Sequence, residues 1–188
     1  MRRVRYSVAA SLDGYIAGPK GEADWIIMDP TIDFAGLFEQ FDTFLLGRRT
    51  FEAMGSAGQR STPGIKTFVF SRTLRQQDYP KVSIVSKDAE ETVAALRAET
   101  GKDIWLFGGG SLFHSLLNAQ LVDTVEVAIM PVLLGGGIPL LPPPANKTKL
   151  KLTSHKIYEK TGIVGLEYAI EYTRPNKRSN KRPKRTRK

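Results

Sequence analysis

The chain has 188 residues, 41% of them hydrophobic, which suits one domain with a single sizeable core. It has no cysteine, which excludes disulfides and thiolate chemistry, and its two histidines, His114 and His155, stand too far apart in sequence to suggest a structural zinc site, so no metal is expected. The formal charge of +9 is confined to one end: residues 174–188 hold nine Lys or Arg and no acid, and the rest of the chain is balanced.

That division predicts a globular domain over residues 1–173 and a disordered basic tail over 174–188, because the tail has no apolar residue whose burial would offset its ordering entropy. The tail fits two readings: a weak, salt-sensitive contact with nucleic acid or an anionic surface, or a solubilising extension. No apolar run reaches the length of a membrane span, so the expectation is a cytoplasmic protein without membrane insertion.

Alternation from Val4 to Ala10 predicts a first strand, and Ser11 to Gly18, with two glycines around a short apolar piece, predicts a loop. Thr31 is expected to cap a helix starting near Ile32, with Phe34, Leu37, Phe38 and Phe41 on its buried face. Thr43 to Leu46 reads as a strand ended by Gly47, after which a helix begins Arg48-Arg49-Thr50. A strand over Lys66–Phe70 ends at Ser71-Arg72-Thr73; Val82–Val85 is another strand, and Asp88 leads an amphipathic helix over Ala89–Thr100. Asp103 to Phe107 is a buried strand stopped by Gly108-Gly109-Gly110, and helical spacing resumes from Ser111 through Leu112, Leu116 and Leu117. Asp123–Met130 is a long strand; a second glycine loop follows at Leu133–Leu141, succeeded by prolines rather than a helix. Leu150–Tyr158 and Ile163–Tyr172 close the domain as an antiparallel hairpin turning at Lys160-Thr161-Gly162.

Helices alternating with strands predict a parallel sheet, whose strand C-terminal ends lie along one ligand-binding edge. Three such ends carry phosphate-binding groups: Gly47-Arg48-Arg49-Thr50, Ser71-Arg72 and Gly108-Gly109-Gly110-Ser111. The glycine run is either a seat for pyrophosphate at a helix N-terminus or a tight turn needing positive φ. Arginines in a first helical turn oppose the dipole, which points to an anionic ligand or to two solvated side chains. Together the three ends describe a dinucleotide site, with an Arg and Ser pair suited to the 2′-phosphate of NADP.

Five motifs in order, Ser11-Leu12-Asp13-Gly14-Tyr15-Ile16-Ala17, Leu46-Gly47-Arg48-Arg49-Thr50-Phe51-Glu52, Ser71-Arg72-Thr73, Phe107-Gly108-Gly109-Gly110-Ser111-Leu112 and Pro131-Val132-Leu133-Leu134-Gly135-Gly136-Gly137, resemble the dihydrofolate reductase-like superfamily, in particular the reductase domain of the riboflavin-biosynthesis deaminase-reductase. The resemblance implies an α/β fold with a twisted mixed sheet of about eight strands, mostly parallel with a C-terminal antiparallel hairpin, flanked by helices. It further implies NADPH held by the three strand ends and Leu112, a cis peptide between Gly108 and Gly109, Ala9, Ala10 and Ile16 backing the nicotinamide, and a homodimer. In the folate-reducing branch a carboxylate follows a tryptophan that resembles Trp25; Asp33 and Asp29 are the candidates here, with Asp13 and Asp24 behind them.

One stretch departs from the pyrimidine-reducing branch. That branch continues from its Gly-x-x-Thr turn into Asp-x-Pro-x-Leu, where this chain reads Phe51-Glu52-Ala53-Met54-Gly55. The resemblance therefore implies a stand-alone NADPH-dependent reductase acting on a pterin- or aminopyrimidine-like heterocycle, 5-amino-6-(5-phosphoribosylamino)uracil reductase-type activity being the family implication. The alternative is an inactive nucleotide-binding scaffold tethered to nucleic acid by its basic tail.

Overall fold

The computed structural model describes residues 1–55 and 64–172; the basic segment 174–188 lies outside the described residues. Ten strands are described: β1 (Val4–Ser11), β2 (Tyr15–Ala17), β3 (Phe41–Gly47), β4 (Lys66–Phe70), β5 (Ser83–Val85), β6 (Asp103–Gly108), β7 (Thr124–Met130), β8 (Ile138–Pro139), β9 (Lys149–Tyr158) and β10 (Ile163–Glu171). Four α-helices accompany them among the described residues, α1 (Phe34–Phe38), α2 (Arg48–Ala53), α3 (Ala89–Ala98) and α4 (Gly110–Asn118). Eight strands form one sheet in the order β5-β4-β3-β6-β1-β7-β10-β9, and β2 pairs with β8 in a small second sheet. All pairings from β5 through β7 are parallel, and the closing β7-β10-β9 pairs are antiparallel.

Alternation along β1 assigns its side chains to two unlike faces. Val4, Tyr6 and Ala10 join Leu45, Ile104, Leu106, Val125 and Val127 beneath α3 and α4, which contribute Val93, Leu96, Leu112, Phe113, Leu116 and Leu117. Tyr6 stacks on Phe113 at 3.9 Å between ring centroids, and its buried hydroxyl has a pKa pushed well above the ordinary tyrosine value. Each such buried aliphatic or aromatic side chain contributes about 1.5–3 kcal/mol, so this face dominates stability.

The other face is covered only in part. The five-residue α1 and the start of β3 lay Leu37, Phe38 and Phe41 over Phe44 and Trp105, and α2 packs Phe51 against Leu46, Val69 and Val82. Farther along, Arg5, Ser7 and Ala9 of β1 lie in register with Thr124, Glu126 and Ala128 of β7. Here the buried Arg5 donates from Nε to Glu126 Oε1 at 2.6 Å and from Nη2 to Oε2 at 2.8 Å, reaches Gln40 Oε1 at 2.6 Å and stacks over Phe41. Burial pulls the Arg5 pKa down, but the Glu126 hydrogen bonds and negative charge outweigh it and the net direction is up. The outermost strand β9 leaves Leu150, Leu152 and Ile157 exposed.

The predicted elements recur with four differences. The helix expected from Ile32 begins at Phe34 and spans only five residues. Thr31 does not cap it, because both its amide and its hydroxyl donate to Asp29; Asp33 caps instead, accepting the Gly36 amide at 2.9 Å. Phe41 opens β3 rather than closing the helix, and the loop expected over Ser11–Gly18 contains the short strand β2, paired with β8. Among the described residues no helix is long and apolar enough to cross a membrane.

Removing one member of a buried, doubly hydrogen-bonded ion pair strands the other charge. Glu126→Ala is expected to lose about 3–5 kcal/mol in urea unfolding, and Arg5→Met combined with Glu126→Leu to recover most of it.

Candidate functional site

Parallel pairing brings several strand ends to one edge. Gly47 pairs with Phe70, so Arg48 and Ser71 emerge side by side from β3 and β4, while Leu46 pairs with Gly108 of β6 on the other side. The approach there is close: a Cβ on Gly47 would stand 3.4 Å from the Gly109 amide nitrogen. Gly108 has φ +138°, which side-chain-bearing residues rarely adopt. The Gly108–Gly109 peptide is cis, as the resemblance implies.

The three consecutive glycines have different reasons to be there. Gly108 and Gly109 face Thr50, whose hydroxyl oxygen would lie 3.4 Å from a Cβ on either. Gly110 instead faces the β8 segment, where a Cβ would stand 2.6 Å from the Pro139 carbonyl oxygen and 3.2 Å from that of Leu140. Packing alone therefore requires Gly110. From it α4 runs nine residues with no side chain capping its N-terminus, so backbone N–H groups and the positive end of the helix dipole face the turn.

A cleft of about 2210 Å³ opens along this edge and down the partly covered face. Its wall includes Ala9, Ile16, Gly47, Arg48, Arg49, Thr50, Gly108, Gly109, Gly110, Ser111 and Leu112, which the structure thus brings together. Arg48 forms a 2.9 Å ion pair with Glu52 one helical turn on. Ser71 and Arg72 leave the same sheet edge but are not on the cleft wall; the Ser71 hydroxyl accepts the amides of Thr73 and Leu74, closing its own turn, and Arg72 is exposed.

Of the floor only Ala9 was expected; Ala10, expected with it, lies on the opposite face of β1, buried in the core. Ala9, Ala128 and Gly165 lie abreast across β1, β7 and β10, a row of minimal side chains on the cleft wall. Beside it runs a polar row, Ser7, Glu126, Glu167 and Ser154. The signal was present in β7, where Thr124, Glu126 and Ala128 alternate with the apolar Val125, Val127 and Ile129.

A strap, residues 12–33, crosses this floor and places Ile16, Ile26, Ile27, Met28 and Ile32 on the cleft wall. Asp13 fastens its beginning, bonded by the Ser11 hydroxyl at 2.6 Å and by the amides of Leu134 and Gly135. Those bonds, Ser11 first, hold its carboxyl below the usual range.

The two carboxylates expected to meet substrate do not line the cleft. Asp33 is spent as the α1 cap. Asp29, 3% exposed, accepts the Thr31 amide and hydroxyl and, across to the β9–β10 turn, the Thr161 hydroxyl at 2.7 Å. The Thr31 and then the Thr161 hydroxyl hold its carboxyl below the usual range. Asp24 is exposed in the strap and is also absent from the wall.

A mostly parallel sheet whose strand ends converge on a glycine turn, above a floor of small residues, defines the reductase-domain type of the dihydrofolate reductase-like superfamily. Within it, the chain belongs to the RibD C-terminal domain family, which it matches over residues 2–163. It is 36% identical over 179 residues to the uncharacterized protein YyaP of Bacillus subtilis (strain 168), a match covering 89% of this chain and 94% of that relative. Among solved structures, a putative riboflavin biosynthesis protein from Shewanella sp. PV-4 superposes with a TM-score of 0.75 at 26% identity, covering 92% of this chain and all of the other. Dihydrofolate reductase from Enterococcus faecalis, complexed with NADP(H), shares the fold with a TM-score of 0.67 at 19% identity, covering 90% and 97% of the two chains.

The glycine geometry makes a direct prediction. Gly110→Ala is expected to cost about 1–3 kcal/mol in thermal or urea unfolding through its clash with the Pro139 carbonyl, and Gly109→Ala less than about 1 kcal/mol, because its methyl meets only a side-chain oxygen at ordinary contact distance.

Proposed function

We propose that this protein is an NADPH-dependent reductase that transfers hydride to a small planar heterocycle of the pterin or aminopyrimidine class. The observation that carries this reading is the convergence of Gly47–Thr50, Gly108–Leu112 and Ala9 on one cleft. The family membership and the NADP(H) complex of the E. faecalis relative support it.

The chain's own groups fit the cofactor. The amides of Gly109, Gly110 and Ser111, at the uncapped start of α4, would hold the pyrophosphate. Arg48 and Arg49, with Ser71 and Arg72 beyond them on the same edge, would hold the 2′-phosphate, for which guanidinium forks supply charge-assisted bonds. Bound there, NADPH supplies the hydride. Ala9, Ala128 and Gly165 let the reacting rings lie flat on the sheet, Ile16 borders them, and the strap's isoleucines exclude water.

Two further points shape the chemistry. Asp29 and Asp33 are committed to structural hydrogen bonds and are not on the cleft wall, Asp33 lining a smaller pocket beside it, so the proton is assigned to water rather than to either carboxylate. In the segment after Thr50, where the pyrimidine-reducing branch holds a ribose phosphate, Phe51 is 2% exposed in the core and packs edge-on against Tyr79 at 5.3 Å. The preferred substrate is therefore a heterocycle without a ribose phosphate held at that segment.

The test combines nucleotide titration with an NADPH-oxidation screen over dihydropterins, dihydrofolate and aminopyrimidines with and without ribose phosphate. NADPH should bind more tightly than NADH, and Arg48→Ala with Arg49→Ala should narrow the gap by about 1–3 kcal/mol, as for charge-assisted contacts. Equal affinity for the two nucleotides would refute the 2′-phosphate assignment. On any substrate found, Asp33→Asn should leave kcat within about threefold of wild type, since a neutral amide oxygen still caps α1; a loss of a hundredfold or more would return Asp33 to the proton path.

A further inference from the structure

The strap is anchored at its two ends to different parts of the molecule. At its start, Asp13 accepts the amides of Leu134 and Gly135, and β2 pairs with β8 just beyond. At its far end, the Asp29 carboxylate accepts the Thr161 hydroxyl, 132 positions away in sequence, in the turn between β9 and β10. Between these anchors the strap contains no other strand or helix, and Ile27 and Met28, immediately before Asp29, line the cleft although 41% and 63% exposed. β10 contributes Gly165 and Glu167 to the floor, so the turn that holds Asp29 is an extension of the surface on which the substrate would lie.

We propose that Asp29 is a positioning residue. Through the Asp29–Thr161 bond it fastens the substrate-side end of the strap to the β9–β10 hairpin and fixes the height of Ile27 and Met28 above the floor, without donating or accepting a proton in the reaction. The bond is short, its carboxylate is nearly buried, and Thr31 satisfies the other oxygen. Asp29 is therefore oriented by local bonds before it reaches across to the hairpin. Releasing it frees the strap at one end only, which loosens the substrate wall and leaves the cofactor groups on β3, β6 and α4 in place. The catalytic part of this inference rests on the reductase reading; the fastening itself does not.

The experiment separates the two. Trypsin cleavage after the exposed Lys20, in mid-strap, is timed by mass spectrometry on the full chain for wild type, Asp29→Ala, Thr161→Val and the double variant, under conditions where urea unfolding shows each fully folded. Thr161→Val should speed that cut about tenfold, Asp29→Ala at least as much because it also removes the Thr31 bonds, and the double variant no more than Asp29→Ala, because the cross-link is the one bond both remove. Asp29→Asn, whose Oδ1 can keep the Thr31 bonds while its Nδ2 donates to the Thr161 hydroxyl oxygen, should cut at near the wild-type rate. In NADPH oxidation with a turned-over heterocycle, Asp29→Ala and Thr161→Val should raise KM about tenfold with kcat and NADPH affinity little changed, and Asp29→Asn should restore KM. Unchanged cleavage in both single variants would overturn the fastening even if no substrate were found. Accelerated cleavage with kcat abolished in Asp29→Asn would overturn the positioning role in favour of proton transfer.

Discussion

The cleft depends on the contact between the end of β3 and the turn after β6. Backbone approaches backbone there: a Cβ on Gly47 would already touch the Gly109 amide nitrogen, at 3.4 Å. Parallel pairing of β3 with both β4 and β6 leaves the exits from three adjacent strands on one edge, where the chain turns into α2, the Ser71 turn and α4. Groups from positions 47 to 112 thereby become neighbours without any long side chain reaching across. Sheet register, rather than a dedicated loop, gathers the candidate nucleotide groups.

The unequal covering of the two sheet faces does the rest. One face is packed by α3 and α4 and supplies most of the buried apolar surface. On the other, α1 is only five residues long and shelters the aromatic group around Trp105, leaving β1, β7 and β10 open beside it. Open sheet is stable here because its side chains are small or paired: Ala9, Ala128 and Gly165 expose little apolar area, and Arg5 and Glu126 neutralise each other. The same choice leaves three strands lining the cleft through small side chains.

Much of this was legible in the sequence. Strand ends carrying Gly47, Ser71 and Gly108 could be read because each apolar run stops at a glycine or hydroxyl residue and a helical spacing or turn signal follows. The antiparallel ending could be read from two strand patterns separated by a turn. The carboxylates could not. An aspartate a few residues after Trp25 has the right chemistry for a proton relay, but its role depends on its hydrogen-bond partners, and Asp29 finds one of them in Thr161, far along the chain. Nor was the helix start legible: Thr31 and Asp33 are both good caps by type, and the Asp29 side chain decides between them by taking the Thr31 hydroxyl. The small-residue floor was missed because Ala128 and Gly165 have no chemical signature alone; their meaning lies in the cross-strand register.

The most direct measurement is a backbone-amide NMR titration of the full chain with NADPH. If the strand ends form one nucleotide site, the amides of Gly47–Thr50, Gly108–Ser111 and Ala9 shift together along a single saturation curve. Shifts confined to residues outside this cleft, or different apparent affinities for the Gly47 and Gly109 groups, would contradict the account.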